Sequence, residues 1–321
     1  MAKLAVCGRG IIGRMRLKSP AAVAAVLATT ALAWVQPGHA QSIEPRAYSN
    51  IPIGVNFLIV GLADASGGLV TEPSLPLEHA DLRTDALVLA YARGMDFHGH
   101  SGKFDIVVPY VWIDGSARYL DQPVQRRVDG FGDPRLRLSI NLHGAPALPA
   151  ARIASYRQDT IVGLSVQVVA PLGQYDGSRL VNIGTNRWQM TTELGVSKAV
   201  GDWTFEVAPA ATFFSVNEDF YGGHRRAQEP VYSLQGSVIY GLRRGMWMAL
   251  SGTYYTGGKA TVDGNEGHTL LKNSLLGATF AVPLDRRNSI KFYASTGLVT
   301  RIGSDADTFS VAWQHRWGAG L

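Results

Sequence analysis

Arg135, Arg137, Asn141, Gln167, Glu193, Glu206, Lys291, Gln314 and Arg316 are the residues whose types and spacing offer chemistry in this chain. They stand at alternate positions in strand-like runs, as in Arg135-Leu-Arg-Leu-Ser-Ile-Asn-Leu142. A period of two puts such residues on one face of a strand, with the apolar partners on the other. Their signs are mixed. Charges on an enclosed face must pair or meet water. The set therefore either braces an interior through ion pairs or lines a wet path for a small solute, and these residues are the candidate lumen lining.

Other constellations are weaker. Gly8, Gly10 and Gly13 have the G-x-G-x-x-G spacing of a dinucleotide turn. That turn needs a strand before it, a helix after it and an acid about 20 residues on, yet the first acid is Glu44. His98-x-His100 brings two imidazoles with only Asp96 beside them, whereas zinc takes three or four ligands. Asp129-Gly-Phe-Gly-Asp-Pro134 and Val262-Asp-Gly-Asn-Glu-Gly267 look like fragments of calcium loops. Both lack the full oxygen spacing and the closing glutamate, and both suit Gly/Asp turns. Ser310 and His315 have opposite strand parity, so they cannot act as nucleophile and base. No catalytic, cofactor or metal residues are assigned, and the chain is not read as an enzyme.

The glycine motif has a better explanation. Lys3, Arg9, Arg14, Arg16 and Lys18 form a positive region ahead of the apolar run Ala21 to Val35. A run of about 15 residues suits an export signal and is too short for a membrane-spanning helix. Gly38 and Ala40 are small residues suited to signal peptidase, which places cleavage before Gln41. Residues 1–40 are thus expected to be a signal peptide and 41–321 one large domain. The leader holds five basic residues and no acid, so the excess of 30 basic over 25 acidic residues disappears beyond it. A nucleic-acid partner needs a concentrated positive field, which this balance does not supply. The single cysteine, Cys7, also falls in the leader, leaving the mature chain to rely on backbone pairing and packing.

Alternation dominates the chain beyond the leader. Trp203, Phe205, Val207, Ala211 and Phe213 share one face, with Thr204, Glu206, Ala208 and Thr212 opposite. Val162, Leu164, Val166 and Val168 oppose Ser165 and Gln167. About twelve such segments are expected, near 52–63, 85–96, 103–113, 133–143, 159–171, 187–199, 202–214, 231–242, 246–256, 272–283, 289–300 and 307–317. Most are about 10–12 residues, close to the span of a tilted strand across a hydrocarbon layer. Links after even-numbered segments are mostly tight. Those after odd-numbered segments, near 64–84, 114–132, 172–186, 215–230 and 257–271, are long and polar. A transmembrane antiparallel β-barrel has that asymmetry. The link near 144–158 is longer than a tight turn and is expected to hold a helical turn.

A soluble β-sandwich needs only about 5–6 residues per strand, and closure also removes exposed edges. Trp112, Trp188, Trp203, Tyr221, Trp247, Tyr254, Tyr255, Trp313 and Trp317 are expected near the two membrane interfaces. A barrel of about twelve strands lies between a filled and an open lumen. Gln41 to Asn50 is a candidate plug.

The chain resembles the outer-membrane barrels of the MetA-pathway of phenol degradation group. The resemblance rests on Gly54 to Gly61 (GVNFLIVG), Asp129 to Leu148, Thr160 to Asp176, Asn182 to Gln189, Tyr254 to Gly264 and the closing Trp313-Gln-His-Arg-Trp-Gly318. It implies an outer-membrane β-barrel and passage of hydrophobic or aromatic compounds, and it supplies no catalytic residues. The expected function is a passive channel for small solutes in the outer membrane of a Gram-negative cell. Its expected partners are outer-membrane lipid, a small-molecule solute and the barrel-assembly machinery during insertion, with no cofactor. The alternative is a structural or adhesive barrel that binds partners through its external loops.

Overall fold

The computed structural model describes residues 44–70, 77–119, 122–153, 155–267, 269–301, 303–304 and 306–319. The expected signal peptide, residues 1–40, lies outside them.

The chain forms strands β1 (Asn56–Val70), β2 (Leu77–Phe97), β3 (His100–Tyr119), β4 (Gln122–Phe131) and β5 (Arg135–His143). A short helical turn, α1 (Ala150–Ile153), leads to β6 (Thr160–Val169), β7 (Gln189–Val200), β8 (Trp203–Phe214), β9 (Asn217–Phe220) and β10 (His224–Gln228). Then come β11 (Val231–Gly241), β12 (Trp247–Gly257), β13 (Ala260–Val262), β14 (Asn265–Glu266), β15 (Leu271–Pro283), β16 (Asn288–Val299), β17 (Gly303–Ser304) and β18 (Asp307–Trp317).

Twelve antiparallel strands close into a barrel. Neighbours pair in chain order, and β1 closes the ring on β18 from Asn56↔Trp317 to Ser66↔Asp307. β4 and β5 form one course along β3, broken at Gly132-Asp-Pro134. Proline cannot donate to the ladder there. Closure pairs the first strand of the ring with the last, which is what allows a sheet to stand in lipid.

At one end the links are tight. His98 and Gly99 both have positive φ, 50° and 89°, the backbone of a type I′ hairpin, whose twist matches the flanking strands. Gly201 turns β7 into β8 at φ 60°. At the other end the links are longer, and here expectation and structure differ. Residues expected as loops near 64–84 and 114–132 include long strand extensions. β1 pairs β2 out to Gly68↔Asp81, and β3 pairs β4 out to Tyr119↔Gln122. Strands that project past a lipid layer into water need no apolar face, so their sequence reads as loop. The stretches 215–230 and 257–271 hold β9, β10, β13 and β14, which pair in a separate four-stranded sheet.

The outer face carries Leu62, Leu89, Leu138, Leu164, Val207 and Leu250, all exposed. Such a belt is unfavourable in water and stable against hydrocarbon. Aromatic clusters border it. Trp203 and Tyr240 (4.7 Å) lie at the short-turn end, with His315 stacked between Trp313 and Trp317 at 5.8 and 5.9 Å. Tyr110 meets Trp112 (4.8 Å) and Phe131 (5.1 Å) toward the other end. Three aromatics expected in these girdles are elsewhere. Tyr255 is buried on the inner face. Trp247 has inner parity and lies under the Arg46 guanidinium at 5.4 Å. Tyr221 follows β9 in the external sheet. Parity decides the first two, because Tyr254 and Met248, their neighbours on β12, hold the outward positions.

Inside, the two halves differ. Toward the long-loop end, Ala65, Ala86, Val111, Ile113 and Ala306 form an apolar cluster with Ile183. Ile183 belongs to the β6–β7 loop, so that loop folds over the inner wall. Toward the short-turn end the lining is polar.

Candidate functional site

The inner face of β5 to β8 builds the polar site. Cross-strand register sets Arg137 opposite Gln167, Ser165 opposite Glu193 and Ser197 opposite Glu206. Paired residues share a face, so these groups converge without any loop to position them. Arg137 Nη2 lies 2.8 Å from Glu193 Oε1 and donates to Ser165 Oγ at 3.2 Å. Ser197 donates to Glu206 Oε1 at 3.0 Å and accepts from Gln158 at 2.8 Å.

The segment ahead of β1 enters this site. Glu44 Oε2 accepts from Arg137 Nη1 at 3.4 Å. Lys103, Lys291 and Arg135 add positive charge around the same carboxylate. The Arg46 backbone N–H donates to Glu206 Oε2 at 2.7 Å. Tyr48 is buried at 3% exposure, and its hydroxyl donates to Glu193 Oε1 at 2.7 Å.

The Tyr48 ring has a built seat. Gly163 and Gly195 are cross-strand partners on β6 and β7. A Cβ at Gly195 would lie 1.9 Å from Tyr48 Cε2, and one at Gly163 would lie 2.2 Å from Cδ1. Only glycine lets the ring lie this close to the wall. A cavity of about 20 Å³ remains among Glu44, Tyr48, Arg137, Glu193, Glu206 and Gln235, enough for roughly one water.

The candidate lining residues fall into three groups. Arg137, Glu193 and Glu206 meet the segment ahead of β1 directly. Arg135 and Lys291 act on Glu44 through charge, while Asn141 and Gln167 are buried on the same inner wall. Gln314 and Arg316 stand apart on β18. Gln314 is paired with Ile59 and Ser289. Arg316 donates from Nε to the Arg286 carbonyl at 2.7 Å and from its backbone N–H to the Arg287 carbonyl at 2.8 Å, bracing the β15–β16 turn.

Sequence reasoning missed Lys103 and Asp105, an inward pair on β3 at 3.7 Å. The alternation Lys103-Phe-Asp-Ile-Val-Val108 carries the signal for them. It placed residues 41–50 as a possible plug without naming Glu44, Arg46 and Tyr48, because a segment outside any strand has no parity to read. Among the described residues no group of three or more His, Cys, Asp or Glu gathers as a metal site.

Fold and site together define a transmembrane-type β-barrel with an apolar outer belt and a polar inner face, against which the segment ahead of β1 packs. The chain belongs to the family described as "Putative MetA-pathway of phenol degradation", whose model matches residues 63–304. Its fold is similar to that of an outer membrane channel from Pseudomonas putida F1, at 18% identity and a TM-score of 0.72, covering 86% of this chain and 100% of that one. It is also similar to the transport unit of the autotransporter AIDA-I from Escherichia coli, at 9% identity and a TM-score of 0.49, covering 85% and 93%. No curated protein matches the chain.

Proposed function

We propose that this protein is an outer-membrane channel for passive entry of small, hydrophobic or aromatic solutes, and that its N-terminal segment closes it at rest. The observation that carries the reading is the seating of Glu44, Arg46 and Tyr48 against the inner wall of a closed barrel. A barrel that served only as a scaffold could be filled by its own wall residues. Here a separate segment, tied to the wall by a few polar contacts, fills it. The apolar belt supports residence in a bilayer, and the family's link to phenol degradation supports the solute class.

The adhesive alternative draws on the external sheet of β9, β10, β13 and β14, whose exposed charges could meet a partner outside the cell. Planar-bilayer conductance and phenol flux into liposomes separate the readings. Full-length protein should conduct weakly, and a variant lacking residues 44–50 strongly. If both folded forms, shown by altered gel mobility before boiling, pass neither ions nor phenol, the channel reading fails.

A further inference from the structure

A second polar site lies at the other end of the lumen. Arg187 lies in the β6–β7 loop, two residues before inward-facing Gln189. It is 6% exposed, and its Nε and Nη1 have no hydrogen-bond partner among the described residues. The guanidinium carbon sits 4.3 Å above the Phe214 ring. Asp133, whose field reaches Arg187, is engaged elsewhere. Its Oδ1 accepts from the Gly173 N–H at 2.9 Å, and its Oδ2 from the Thr185 N–H and hydroxyl at 2.8 Å each. Arg226, stacked 5.3 Å over Phe220, adds a second positive charge nearby. Burial and Arg226 pull the Arg187 guanidinium down to about 9, which leaves it charged at neutral pH.

A buried guanidinium with undirected donors is unfavourable unless an acceptor meets it. A planar oxyanion suits its fork, and Phe214 offers an apolar flank. We propose that Arg187 recognises the carboxylate of a small aromatic acid entering from the long-loop end. The inference rests on the channel reading and narrows its solute class. The burial of Arg187 and its contact with Phe214, whose neighbour Phe213 faces outward, favour a solute in the lumen over a lipid phosphate at the outer surface.

Calorimetric titration of the full barrel in detergent tests it, with benzoate, phenol and inorganic phosphate as probes. Benzoate should bind saturably and shift the Arg187 Nε resonance of arginine-labelled protein. Arg187→Gln should weaken benzoate at least ten-fold, Arg187→Lys should restore part of the loss, and phenol should be indifferent to both. The resonance shift needs no variant, so a misfolded Arg187→Gln does not rescue the idea. Benzoate binding that is absent, or equal in Arg187→Gln, overturns it. So does phosphate binding as tightly as benzoate, which points instead to phosphate groups. Conductance measured in parallel keeps the two readings distinct. A conducting barrel without benzoate binding removes this site, whereas a silent barrel that binds benzoate removes the channel and keeps the site.

Discussion

Tyr48, from the segment ahead of the first strand, donates its hydroxyl to Glu193 on the barrel wall across 2.7 Å. That bond crosses from a polar segment that is not wall to the wall itself. Glu193 also accepts from Arg137, which in turn reaches Glu44. One guanidinium thus holds two carboxylates, one fixed in the sheet and one on the plug. Backbone pairing keeps Glu193 in place, so the energy of this network acts on the seating of the segment.

Tyr48→Phe removes the hydroxyl and leaves the ring in its glycine seat. A hydrogen bond to a charged acceptor contributes about 1.5–3 kcal/mol, and partial solvent access brings the expected loss toward the lower end. Open probability in planar bilayers should rise roughly ten-fold, the equivalent of about 1.4 kcal/mol. Unchanged gating would separate this bond from closure.

Gly195→Ala sets a methyl against the Tyr48 ring, where a Cβ would lie 1.9 Å from Cε2. The sheet cannot retreat, so the ring must leave. Overpacking of this kind costs about 1–3 kcal/mol. Conductance should increase and the thermal midpoint fall. In a Tyr48→Ala background the same substitution should have little effect. An equal cost in both backgrounds would show that Gly195 serves the strand and not the seat.

Arg137→Gln leaves Glu44 and Glu193 facing each other without their shared cation. Removing one partner of a fully buried pair costs about 3–5 kcal/mol. Glu44 is 40% exposed, which reduces the expected cost to about 2 kcal/mol after screening. Pairing it with Glu44→Gln in a double-mutant cycle should give a coupling of about 0.5–3 kcal/mol. Strict additivity by urea titration in liposomes would mean the two side chains do not interact.

The outer face makes a separate prediction. Val207 is 50% exposed on the lipid side, next to buried Ala208 on the lumen side. Val207→Arg should destabilise the folded barrel in liposomes by about 2–4 kcal/mol if it lies near the bilayer midplane, while Val207→Leu should change little. A neutral Val207→Arg would mean that water, not hydrocarbon, bathes this face.

Much of the wall is legible from residue order. The twelve expected segments coincide with the twelve barrel courses to within a few residues over the middle of each. Alternation such as Trp203-Thr-Phe-Glu-Val207 leaves only one way to face lipid. The expected helical turn within 144–158 is α1. The outer extensions of β1 to β4 are not legible, because polar strands in water and polar loops have the same composition. Tyr255 departs from its expected girdle position for a different reason. It adjoins Tyr254, and two neighbouring aromatics on a strand must point to opposite faces.

Residue order alone determined the alternation, the number of wall segments and the polar character of the interior, because each depends on which neighbours a residue has along the chain. The tertiary structure decided which polar groups touch. Arg137, Glu193 and Glu44 are far apart in sequence and meet only after strand register and ring closure set their positions. Nothing local marks Gly163 and Gly195 as a seat until pairing brings them side by side and Tyr48 folds back onto them.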